Sequence, residues 1–144
     1  MTVLFDTNVW IAALRPAHAE HARCAAWHAR LKAGTFDGVL PAHGLAELYN
    51  NLTKLRLPVP VPPLPAKRLI AAEVLPFVRV VALDDTDYLK LIDDAAAAGL
   101  AGSIIYDALL CAAGAKAGAD RLVTLNLRHY RRVWPGPSGA VVEP

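Results

Sequence analysis

Thr2-Val-Leu-Phe-Asp6-Thr7-Asn8 decides the fold. A short apolar run that stops at an acid is the pattern of a buried parallel strand delivering a carboxylate to its C-terminal end. Sites in α/β sheets form at that end, which makes Asp6 the first candidate residue. An acid there also has a purely structural use, capping the helix spelled by Thr7 to Leu14, with Asn8 an equally good cap. Outward from this stretch, Arg15-Pro16 ends the first helix, and a longer helix from Ala17 to Ala33 is stopped by Gly34. Val39-Leu40 reads as a second strand. Pro41 opens a helix in which Leu45, Leu48, Tyr49, Leu52 and Leu55 recur at helical spacing through Leu57.

Five prolines between Pro58 and Pro65 predict an irregular internal loop. Helix resumes from Ala66 to Leu75, and Val78-Arg-Val-Val-Ala82 has the β-branched density of a strand. Asp84 or Asp85 caps a helix running to about Ala98. Gly99 to Gly102 breaks the chain before a helix from Ser103 or Ile104 to Lys116. Leu122-Val-Thr-Leu125 is a further strand ending at Asn126, followed by the basic turn Arg128-His-Tyr-Arg-Arg132, and Val141-Val142 closes an edge. Strands alternating with helices predict an α/β fold, one domain over residues 1–144, with a mostly parallel sheet flanked by helices on both faces.

A chain of 144 residues, 55% hydrophobic and 19% charged, holds one core and is not a disordered polyelectrolyte. No apolar run approaches the roughly 20 residues of a membrane span, and the first residues read as a strand rather than a signal peptide. Cys24 and Cys111 are too few for a disulfide framework, so a reduced cytoplasm is the expected setting. Charge is uneven: Met1 to Asp120 carries 11 basic and 12 acidic residues, Arg121 to Pro144 carries 4 and 1.

Asp107 is the only charge between Ile104 and Ala115, on a helix apolar nearly all round and therefore expected to be buried. An isolated buried carboxylate needs a helix dipole, a cation or a metal. Glu47 lies roughly 135° from the centre of its helix's apolar stripe, by the step of about 100° per residue, which is ordinary for a solvated glutamate. His21, Cys24 and His28 share one helical face but lack a fourth ligand, so packing explains them better than metal binding.

The ordered set Asp6-Thr-Asn-Val9, His43-Gly-Leu-Ala-Glu47-Leu-Tyr49, Tyr106-Asp107-Ala-Leu-Leu110 and Thr124-Leu-Asn126-Leu-Arg-His-Tyr130 resembles the PIN-domain ribonucleases. A free-standing domain of this length is most similar to the VapC-type toxins of toxin–antitoxin pairs. The resemblance implies an endoribonuclease dependent on Mg²⁺ or Mn²⁺, a partner antitoxin that silences it, and a homodimer. It makes Asp6, Glu47 and Asp107 the metal ligands or water positioners, with Asn126 standing where the family often has a fourth acid. Three carboxylates brought together raise one another's pKa unless a divalent cation lies between them, and oxygen donors favour a hard ion. Thr7 and Thr124 are expected to hold water or phosphate. Arg128, His129, Arg131 and Arg132 are expected to guide an RNA backbone past the acidic pocket, while Tyr130 packs as core. Trp10, Ile11 and Leu14 form an apolar edge that the resemblance offers to an antitoxin segment, with core packing the expected place of at least Ile11.

Three other readings compete. A PIN nuclease of RNA processing shares every residue above, and a silent binding module would read Asn126 as a decayed acid. Phe5-Asp6-Thr-Asn8 also resembles the nucleophile loop of haloacid-dehalogenase-type phosphohydrolases, but that family expects a second aspartate at Asn8.

Overall fold

A computed structural model describes residues 1–54 and 59–144. Five strands form one sheet: β1 (Thr2–Phe5), β2 (Asp37–Pro41), β3 (Val78–Val81), β4 (Arg121–Val123) and β5 (Val141–Val142). The order is β3-β2-β1-β4-β5 and every pairing is parallel. Among the described residues the helices are α1 (Thr7–Leu14), α2 (His21–Lys32), α3 (Ala42–Thr53), α4 (Pro63–Glu73), α5 (Asp85–Ala97), α6 (Ile104–Lys116) and α7 (Leu127–Tyr130).

Alternation along the strands builds two apolar layers. Val3 and Phe5 of β1, with Leu40 and Val123, pack against α1 to α4 through Trp10, Cys24, Leu48, Leu52 and Ile70. Leu4, with Val39, Leu122 and Val141, faces the other way onto Leu110 and Cys111 of α6 and Tyr130 of α7. The α/β expectation holds. The chain leaves β1 towards β2 on one side while β4 lies on the other, so the order reverses between β1 and β4. That crevice is where α/β sheets place their sites, and Asp6 and Thr124 follow the two strands that border it.

Several boundaries differ from expectation for local reasons. The second helix starts at His21, not Ala17: the ring Nδ1 of His18 accepts the Glu20 N–H at 3.1 Å and the His18 carbonyl accepts the His21 N–H at 3.0 Å, closing a turn. Within the proline-rich stretch, Pro63 and Pro65 belong to the first turn of α4 rather than to a loop. Proline is tolerated there because the first N–H groups of a helix have no partner within it. β4 stops at Val123 because the Thr124 hydroxyl takes the Asn126 N–H at 2.9 Å and turns the chain. The basic turn is the short helix α7. The expected continuation of the third helix through Leu55 and Leu57, and Pro58 after it, lie outside the described residues. Asp84 is the cap of α5, in a reciprocal capping box with Asp87.

Trp10 and Ile11 are buried in the first layer, where Trp10 meets Phe5 edge to face at 5.3 Å. Ile11 packs in the core as expected, whereas the burial of Trp10 corrects its expected place on an apolar edge open to a partner, and Leu14 is half-buried.

Candidate active site

Asp6 is the single residue between β1 and α1. It occupies the N-cap position of α1 with an extended backbone, yet its side chain makes no capping bond. The carboxylate turns into the crevice instead. Oδ2 accepts the Thr124 hydroxyl at 2.8 Å, and Oδ1 accepts the Tyr130 phenol at 3.0 Å. Only 4% of Asp6 is exposed. Burial pushes its carboxyl above the usual value of 3.8; the two hydroxyls and then the nearby Asn8 N–H oppose that rise, and the charge of Glu47 adds to it. Tyr130 keeps its proton far above the ordinary range, first because it is buried and then because Asp6 and Asp107 stand beside it. It therefore serves as a donor.

Glu47 lies on the exposed side of α3, off the apolar stripe as its position in the sequence indicates, but it is not simply solvated. Its Oε2 accepts the Thr7 hydroxyl at 2.8 Å, and Thr7 directly follows Asp6. Asp107 lies in the first turn of α6, its side chain 24% exposed, with Oδ2 at 3.4 Å from Nδ1 of His129 on α7. The burial predicted for this helix holds from Ala108 to Gly114, Ala112 apart, but not at its start, where Tyr106 is 66% exposed. The Cys111 thiol is pushed up to about 12, first by burial and then by the charges of Asp107 and Asp6.

Thr7 and Thr124 are 3% and 0% exposed. Each hydroxyl donates to an acid of the candidate site, Thr7 to Glu47 and Thr124 to Asp6. Asn126 is half-buried at the same strand end, and its side chain makes no capping bond to α7. Asp120 is at the opposite end of β4, accepting the Thr2 N–H at 2.7 Å. Arg128, Arg131 and Arg132 are exposed, and among the described residues none pairs with a carboxylate. Arg132 lines a separate groove between α5 and α6, with Lys90, Asp94 and Ala112. The expected packing role of the His21, Cys24 and His28 face is what the structure shows: His21 and His28 bond the carbonyls of Ala12 and Glu73, and Cys24 is buried.

Reading the sequence gave Tyr130 a place in the core but not its bond to Asp6, 124 positions away. The available signal is general: a buried tyrosine hydroxyl requires a partner.

Among the described residues, no three His, Cys, Asp or Glu side chains converge into a complete metal cage. The expected carboxylate cluster is divided into Asp6 with its two hydroxyls, Glu47 with Thr7, and Asp107 beside His129, an arrangement that keeps like charges apart. The donor set still fits a hard divalent ion. All candidate ligands are oxygens, and each Asp6 oxygen accepts one side-chain hydroxyl, which leaves lone pairs for an ion. Among the described residues no Lys or Arg neutralises Asp6, Glu47 or Asp107.

A parallel α/β sheet with Asp6 at its β1/β4 crevice agrees with the family model that matches the chain, the PIN domain, over residues 3–134. The chain belongs to the PIN-domain family. It is 32% identical over 115 residues to Ribonuclease VapC27 of Mycobacterium tuberculosis, covering 80% of this chain and 78% of that protein. The fold is similar to Mycobacterium tuberculosis VapC20, a sarcin-ricin loop cleaving toxin, with TM-score 0.63 and 19% identity over 83% of this chain and 86% of that one. It is also similar to VapBC2 from Rickettsia felis bound to a DNA fragment from their promoter, with TM-score 0.68 and 16% identity over 100% and 99%. Membership in the PIN family removes the dehalogenase-type reading. No helix of the described residues is long and apolar enough to cross a membrane.

Proposed function

We propose that this chain is a metal-dependent endoribonuclease that hydrolyses RNA phosphodiester bonds, acting as the toxin of a toxin–antitoxin pair. One observation carries the reading: a buried acid at the topological switch point, held by neutral hydroxyls and left without a cationic partner. A merely structural acid in that position would cap α1 or meet an arginine. Asp6, Glu47 and Asp107 would hold Mg²⁺ or Mn²⁺, with the Asn126 amide as a neutral fourth donor that lowers the local charge from −4 to −3. When bound, the ion polarises a phosphodiester oxygen and eases deprotonation of a water. Thr7, Thr124 and Tyr130 fix the acids, while the exposed Arg128 of α7 and Arg131 just after it offset the repulsion between an acidic pocket and a polyanion.

Two apolar surfaces support the reading of its partners. A groove between α3 and α4, with Leu45, Tyr49, Leu64 and Leu75, is the apolar surface we assign to an antitoxin segment, in keeping with the VapC-type relatives. On α5, Leu89 and Ile92 are 64% and 54% exposed, and this face supports a homodimer. Inducible expression in a bacterial host tests the toxin reading: wild type is expected to arrest growth and generate new RNA 5′ ends, and Asp107→Asn to do neither. New ends without arrest would favour a role in RNA processing. No uptake of Mg²⁺ or Mn²⁺ in calorimetry would favour the silent module.

A further inference from the structure

The phenol of Tyr130 is 4% exposed and donates to Oδ1 of Asp6, while the rest of α7 reaches outward with Arg128 and His129, and Arg131 follows directly. From this geometry, and resting on the metal-site reading above, we infer that Tyr130 is a positioning residue that sets the Asp6 carboxylate for the ion and locks the basic helix to the occupied site.

Three features point this way. With Thr124 on Oδ2 and Tyr130 on Oδ1, the carboxylate plane is fixed by one donor on each oxygen, so neither can rotate away without losing a buried hydrogen bond. Both donors are uncharged, so they orient the acid without competing for its charge as an arginine would. The same ring also belongs to the second apolar layer, packed with Leu110, Cys111 and Leu122, so the short helix bearing the basic side chains is pinned at its C-terminal end. Oxygen ligands oriented from behind in this way commonly lose 10- to 100-fold in metal affinity when the supporting partner is removed.

The test is Tyr130→Phe in the full chain, which removes one oxygen and keeps the ring, with Tyr130→Leu as a second variant lacking the hydroxyl. Mn²⁺ affinity is measured by calorimetry, thermal unfolding is followed in EDTA and in saturating Mn²⁺, and cleavage of a single-stranded RNA is resolved into kcat and KM. Expected are an Mn²⁺ Kd weakened by about 10-fold, a smaller Mn²⁺-induced rise in Tm, and a raised KM for RNA at saturating metal. An Mn²⁺ Kd within about twofold of wild type, with only the EDTA Tm lowered, would overturn the inference and leave the tyrosine a packing residue. Should wild type itself bind no Mn²⁺, the metal-site reading fails and this inference with it; that outcome is distinct because the variants are not needed to reach it.

Discussion

At Asp6 two hydroxyls share one buried carboxylate, and burial holds its pKa above the unfolded value. The consequence for stability has a definite sign. A carboxyl whose pKa is raised by folding binds more protons folded than unfolded. Its contribution is therefore full below the unfolded value near 3.8 and is lost as pH rises through the folded value. In EDTA, the Tm of wild type relative to Asp6→Asn should accordingly fall as pH is raised from the ordinary carboxylate range towards neutrality, and Mn²⁺ should stabilise wild type but not the variant. A parallel pH dependence of the two proteins would contradict the assignment of this charge. Asp6 was legible in the sequence because a strand that stops at an acid is a local pattern. The hydroxyls that hold it were not, because Thr124 and Tyr130 reach it only through the β1–β4 pairing. Glu47 shows the same limit: helical periodicity placed it off the core, but only the crossover from β1 to β2 brings Thr7 to it.

At the scale of elements, α6 carries Asp107 and presses closely on the sheet. A Cβ built on Gly114 would lie 2.6 Å from Cδ2 of Leu4, which is fully buried two residues before Asp6. Gly114→Val is expected to destabilise by about 1–3 kcal/mol through overpacking and to reduce cleavage by displacing Asp107; unchanged Tm with unchanged activity would show that α6 has room the structure does not. Gly34 illustrates what composition reveals directly: it ends α2 at φ 69°, a conformation that favours glycine, and the stop was readable in advance. The starts of α2 and α4 were less readable, because they depend on a His18 ring bond and on proline being acceptable in a first turn.

For the whole molecule, parallel pairing in the order β3-β2-β1-β4-β5 sets β1 beside β4, which brings the Thr124 hydroxyl and the Tyr130 phenol to Asp6. Alternation of strands and helices announced the class of this fold, whereas the strand order depends on long-range pairing that no short window of sequence contains. The exposed apolar face of α5 belongs to this scale too. Light scattering is expected to report a dimer for wild type and a monomer for the double variant Leu89→Lys, Ile92→Lys; equal masses for both would place any interface elsewhere. Cleavage of RNA by the purified chain tests the central claim most directly, measured with Mn²⁺, with EDTA, and with Asp6→Asn in Mn²⁺. Cleavage is expected in the first case and a loss of about 10²-fold or more in the other two. Full cleavage in EDTA, or by Asp6→Asn, would contradict it.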